Sequence, residues 1–265
     1  MFLIIKRLWQ VNWAEQWQYR TNLLMYLLYW LVSPIIYLAV WTSIANTKGD
    51  VNGFTANDFT TYYMTLLIVD QITSNIVIHT FGYKIQDGSL SGELVRPIHP
   101  MLTNALVNNI AFKALTIMGL IPIWIILFFL YKPDFSSVTL PNILLAIPAM
   151  ILAFFMGFLF SAAITSLAFW TTRVYSIHEF YFAMILLFSG QFVPLPLMPE
   201  VIQNIAQFLP FQYLIYYPIQ LILGNLSSQQ IVQGYVLLPI WLGISMLLFN
   251  WVWRNGVKRY SAVGA

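Results

Sequence analysis

The stretch Ile143-Leu-Leu-Ala-Ile-Pro-Ala-Met-Ile-Leu-Ala-Phe-Phe-Met-Gly-Phe-Leu-Phe-Ser-Ala-Ala-Ile-Thr-Ser-Leu-Ala-Phe-Trp170 contains no charged side chain. A hydrocarbon core about 30 Å thick is crossed by roughly 20 apolar residues of α-helix, and this segment is long enough. Working outward, Leu23–Ala45, Thr60–Thr80, Asn108–Leu130, His178–Leu197 and Gln233–Trp253 are also long and mostly apolar, with Asp70, Lys113 and Glu179 as their charged residues. The chain of 265 residues is 60% apolar and 8% charged, whereas a soluble domain carries about 25% charged residues. Lipid must therefore be the solvent for most of its surface. The expected fold class is an all-α integral membrane protein with six transmembrane helices, occupying residues 1–265 as one domain.

Residues 1–22 read as an amphipathic interfacial helix. Trp9, Trp13 and Trp17 recur at i, i+4 and i+8 and share one face, with Phe2 and Ile5 leading into it. Tryptophan favours the headgroup zone, where its ring is apolar and its N–H stays wet. The plainer reading is that this segment simply begins the first span. A cleaved signal does not fit, because Gln10, Asn12, Glu15, Gln16 and Gln18 interrupt the apolar region that a signal requires.

Lys and Arg set the expected orientation. Lys6, Arg7 and Arg20 precede span one; Lys84, Arg96 and Lys113 surround the second loop; Arg173 lies in the fourth; Arg254, Lys258 and Arg259 follow span six. The alternate loops hold only Lys48 and Lys132. Ten of the twelve basic residues fall on one side, which predicts cytoplasmic termini. A formal charge of +3 does not suggest nucleic acid as a partner.

Catalytic signatures are missing. The chain has no cysteine and no G-x-x-x-x-G-K-[ST], so it cannot hold ATP in a P-loop. His79, His99 and His178 lack metal-ligand spacing, and no H-E-x-x-H or G-x-S-x-G is present. Neither an enzyme activity nor a cofactor of its own is expected of this chain.

Span two is unusually polar. Asp70, Gln71, Ser74 and Asn75 occupy an arc of roughly 140°, opposite Val69, Ile72 and Ile76. A carboxylate at mid-membrane depth costs about 2.5–3.5 kcal/mol on insertion scales and must face protein or water. It either lines a transport path, or acts as a polar latch, or makes a satisfied interhelical bond. In span four, Gly157, Ser161 and Thr165 at i, i+4 and i+8 allow close helix packing.

Two connections stand out. Residues 82–100 include Asp87, Leu90, Glu93, Leu94, Val95, Arg96 and Pro97. Leu90, Leu94 and Val95 are expected to lie together with charges at the rim, which suits docking to a soluble partner or rest on headgroups. Residues 199–228 fall on the outer side yet are apolar, with Phe208, Leu209, Phe211 and Tyr213. Two short re-entrant helices separated by Pro210 account for that better than a solvated loop.

Two stretches carry a family resemblance: Ser91-Gly-Glu-Leu-Val-Arg-Pro97, and Phe188-Ser-Gly-Gln-Phe-Val-Pro-Leu-Pro-Leu-Met-Pro199 followed by Leu209-Pro-Phe211. The chain resembles the ABC-2 type permeases, membrane subunits of type V ABC exporters, and within them the branch paired with daunorubicin-type ATPases. The resemblance implies an elbow helix at the N-terminus, a coupling helix over Ile85–Arg96 seated on the ATPase, and an outer gate including Pro194, Pro196, Pro199, Pro210 and Phe211. It further implies two P-loop ATPase copies that bind ATP and Mg²⁺, a second six-span permease, and residence in a bacterial plasma membrane. A hydrophobic or amphipathic cargo is expected from the aromatic-rich interior. A non-transporting scaffold subunit and a glycan exporter are the alternatives.

Overall fold

The computed structural model describes residues 2–260. Met1 of the expected elbow segment, residues 261–265 of the expected domain and the side chains of Phe2 and Ile5 lie outside the described residues.

Helix α1 (Phe2–Gln18) meets α2 (Arg20–Lys48) at Tyr19. Helix α2 buries Leu23, Leu27, Leu31, Pro34, Leu38, Thr42 and Ala45, one stripe at spacings of three and four, flanked by partly buried residues such as Tyr37 and Trp41, and exposes its opposite face. A capping box starts α3 (Ala56–Thr73): the Asp58 N–H donates to Thr55 Oγ1, and Asp58 Oδ2 accepts from the Thr55 N–H at 2.8 Å. Unlike α2, this helix buries 13 of its 18 residues. Its extension, Ile78–Gly82 and α4 (Tyr83–Gln86), follows an irregular break at Ser74–Ile76. The expected single span Thr60–Thr80 is therefore two half-helices.

A single turn, α5 (Ser91–Leu94), precedes Met101–Leu106 and α6 (Val107–Tyr131). Then come α7 (Leu140–Ser166), continued by Leu167–Phe169, and α8 (Val174–Phe188). Two short helices, α9 (Glu200–Gln207) and α10 (Tyr216–Leu223), separate α8 from α11 (Ser228–Val257). The core sits where α3, α7 and α10 meet, around Tyr62, Tyr63, Leu66, Ala149, Met156 and Ile219. Helix α11 packs along α7.

Five helices among the described residues are long and apolar enough to cross a membrane: Arg20–Lys48, Ala56–Gln86, Val107–Tyr131, Leu140–Phe169 and Ser228–Val257. The expected fifth span, His178–Leu197, is not one continuous helix. Helix α8 stops at Phe188 after 15 residues, about 22 Å of rise and short of a bilayer core. Gly190 turns the chain at φ +82°, and Pro194 and Pro196 cannot donate helical hydrogen bonds.

Contacts define two ends of the bundle. At one, Gln86 Nε2 donates to the Thr172 carbonyl at 3.1 Å and the His99 ring lies 4.8 Å from that of Trp253. At the other, the Asp134 N–H donates to Thr61 Oγ1 at 3.0 Å. Gln86, Thr172, His99 and Trp253 thus lie toward one end, and the expected place of Lys113 beside the second loop is corrected. Lys113 belongs to neither end: it is buried inside α6. Nine basic residues, not ten, then remain on the favoured side.

Candidate functional site

The break in α3 arises where the polar arc of span two lies. Ser74 turns extended at ψ 168°, and its N–H still reaches the Asp70 carbonyl at 2.9 Å. Beyond it the helical ladder stops, leaving the last carbonyls of α3 without backbone donors. Lys113, from the facing helix α6, supplies one: its Nζ donates to the Gln71 carbonyl at 2.8 Å and to Ser74 Oγ at 3.1 Å. The ammonium also lies 5.8 Å from the centroid of the Phe154 ring on α7. A cation is favoured here because the C-terminal end of a helix carries partial negative charge.

The Gln71 amide donates to Thr116 Oγ1, one helical turn beyond Lys113. Asp70 and Lys113 are 7% and 8% exposed. Their charges interact, but no ion pair joins them; the Lys84–Glu93 pair, at 2.8 Å, is the one ion pair among the described residues. Asn75 Oδ1 and both amide atoms of Asn109 are buried without hydrogen-bond partners. Gly157 on α7 faces the break: a Cβ there would lie in ordinary contact with Asn75 Nδ2 at 3.6 Å and the Thr73 carbonyl at 3.7 Å, and would crowd only Leu214, at 3.1 Å. The small-residue face of span four thus packs against the break.

The sequence located Asp70, Gln71, Ser74 and Asn75 but did not name Lys113 as their partner. The available signal was a lone lysine inside the apolar run Asn108–Leu130. The structure also brings His79 and His178 together, with rings 5.8 Å apart and edge to face. Among the described residues no three His, Cys, Asp or Glu side chains form a metal cluster.

At the basic end, the loop differs from its expected form. Ile85–Arg96 is not one helix, because the chain reverses at Gly88, φ +83°, between α4 and α5. Asp87 Oδ1 accepts from the Ser89 N–H at 2.9 Å, a bond that holds its carboxyl below the usual carboxylate range. Leu90, Leu94 and Val95 do not share one outward knob. Leu90 is fully buried against Phe81, Ile85 and Trp253, with Leu94 packed partly on the same cluster. Val95 is 84% exposed, and Arg96 and Pro97 are exposed beside it. Lys84 holds Glu93, so of the expected docking residues, Asp87, Val95, Arg96 and Pro97 remain on the outward surface.

At the opposite end, three side chains clamp the segment after α8. Tyr62 Oη donates to the Gly190 carbonyl at 2.8 Å, while Tyr63 Oη and Trp41 Nε1 donate to the Phe192 carbonyl at 2.7 and 3.2 Å. Pro194 precedes the turn Leu195–Leu197, and Pro196 donates no N–H but accepts from Gln203 Nε2 at 3.1 Å. Pro199 caps α9, and its carbonyl takes the Ile202 N–H at 2.8 Å. Pro210 begins the next turn, and Phe211 stacks on Phe188 with centroids 6.3 Å apart. A cleft of about 440 Å³ opens at this end beside Asp58, Thr61, Asp134, Gln220 and Asn225. Ser136 holds the Asp134 carboxyl low in pKa by hydrogen bonding.

Long apolar helices that enclose a buried polar seam are those of a multi-pass membrane domain. The family model described as ABC-2 family transporter protein matches residues 21–264, so the chain belongs to that family and is a permease subunit of an ABC transporter. The family is a transmembrane component that works with ATPase subunits, not the ATPase itself. No curated protein and no solved structure matches the chain.

Proposed function

We propose that this permease is the membrane subunit of an ATP-driven exporter of a hydrophobic or amphipathic substrate. It pairs with a second permease over two ATPase copies, in a bacterial plasma membrane with both termini cytoplasmic. In this reading α1 is the elbow helix. Helix α8 and the clamped segment after it together make the fifth crossing, and α9 and α10 are the re-entrant pair.

One observation carries the proposal: span two is jointed. Its lower half, Val77–Gln86, runs into the loop whose exposed tip is Val95, Arg96 and Pro97. Its upper half, α3, holds the outer segment through Tyr62 and Tyr63. The break at Ser74–Ile76 lies between the two. A push on the loop by a closing ATPase pair would therefore reach the outer segment through a joint with two arrangements. ATP can shift such an equilibrium only if it favours one arrangement over the other.

The experiment purifies the complex with its ATPase, reconstitutes it, and measures ATP-dependent movement of candidate amphipathic compounds. Val95→Asp and Arg96→Glu are expected to abolish ATPase association and transport while leaving the permease folded. Undiminished association in both variants would overturn the docking assignment. Asp70→Asn is expected to reduce transport at normal expression, and normal transport would remove Asp70 from the path.

A further inference from the structure

We propose that the break in α3 is a monovalent-cation site, and that this chain fills it with the ammonium of its own Lys113. The site is built from helix-end chemistry. Two oxygens converge on one point: the Gln71 carbonyl at 2.8 Å, which belongs to the negative end of α3, and Ser74 Oγ at 3.1 Å. Broken helices inside membrane proteins commonly present unwound carbonyls and half-helix C-termini to bound cations. Asp70, one residue before Gln71, supplies buried negative charge without touching the ammonium. Asn109, one turn before Lys113 on α6, and Asn75 Oδ1 are buried without hydrogen-bond partners and so do not touch the ammonium, whose hydrogen bonds are those to Gln71 and Ser74. The oxygens around the ammonium suit a small cation better than an apolar side chain, and buried polar atoms left unpaired are costly.

Tethering the cation to a helix has a consequence that a free ion lacks. While the ammonium is seated, α6 and the upper half of span two are held in register. Withdrawing it exposes the carbonyl end of α3, and the joint becomes free to bend. Lys113 therefore sets the resting arrangement of the joint. This holds whichever way cargo moves and can be tested without transport.

The test uses the full-length permease in lipid nanodiscs and reads its melting midpoint. Lys113→Ala removes the ammonium and leaves room for n-propylammonium. That probe is expected to raise the midpoint of the variant by on the order of 5 °C at saturation, and to leave the unsubstituted protein unmoved. The equally sized neutral n-propanol should do neither. A second variant keeps the proposal exposed if Lys113→Ala fails to accumulate. The chain has no cysteine, so Lys113→Cys offers a unique thiol. Aminoethylation of that thiol restores an ammonium, whereas propylation restores only bulk. Recovery of the midpoint by aminoethylation alone supports the proposal. Equal effects of propylammonium and propanol, or of the two alkylations, would overturn it, as would a Lys113→Met protein that melts like the original.

Discussion

Helices α2 and α3 are sequence neighbours, and both are apolar enough to cross a bilayer, yet they are made differently. Helix α2 buries a narrow stripe and shows residues such as Tyr29, 76% exposed, to the surroundings. Helix α3 is enclosed by α2, α6, α7 and α10. The difference teaches where a membrane protein can place polarity. Lipid cannot satisfy Asp70 or Gln71, so such residues occur only where other helices surround them. Enclosure also permits a broken backbone, because α6 supplies a donor for a carbonyl that the break orphans. The joint in span two and its charge are thus one feature: neither is tolerable without the other's surroundings.

Substitutions on the two helices sharpen that comparison. The largest effect is expected where α3 meets the outer segment. Gly190 adopts φ +82°, and a Cβ there would stand 2.7 Å from Tyr62 Oη. Gly190→Val combines backbone strain with overpacking and should destabilise by about 3 kcal/mol or more, seen as loss of the monodisperse peak in size-exclusion chromatography. Next is Leu90→Ala, which empties a fully buried position under the loop. It should cost about 2–5 kcal/mol and increase hydrogen exchange across residues 84–99. If Leu90→Ala left that exchange unchanged, the loop would not be anchored as described. Tyr63→Phe deletes one bond to the Phe192 carbonyl and should cost about 0.5–1.5 kcal/mol, with faster exchange confined to residues 189–197. The smallest effect belongs to α2: Tyr29→Ala should change stability by less than about 0.5 kcal/mol. A Tyr29→Ala penalty as large as that of Tyr63→Phe would break the comparison, since α2 would then be no less enclosed than α3.

Much of this was legible in the sequence, for stated physical reasons. Long apolar runs located α2, α6, α7 and α11 to within a few residues, because a bilayer demands continuous hydrophobicity. Pro210 marked the separation of α9 from α10, because proline cannot continue a helix. The polar arc of span two marked the seam. Other features depended on contacts between distant residues, to which periodicity is blind. The break after Thr73 follows no proline or glycine. The donor that meets the freed Gln71 carbonyl and the Ser74 hydroxyl is Lys113, a residue 39 positions after Ser74. Leu90 and Val95 are both apolar, and only their places at opposite ends of the α5 turn put one inward and the other out. The short α8 reads as a full span because apolar residues continue past Phe188, while Tyr62, Tyr63 and Trp41 hold the continuation as a clamped loop.

The claim that span two works as a joint is tested most directly by spin-label distances in the reconstituted complex. Cysteines introduced at Asn57 and Tyr83, both exposed and on opposite sides of the break, report on its two halves. A second pair at Asn57 and Lys48 reports on the outer end alone. Trapping ATP on the partner subunits should shift the first distance distribution and leave the second in place. Identical distributions for the first pair with and without ATP would contradict the account, because span two would then move as one rigid rod or not at all.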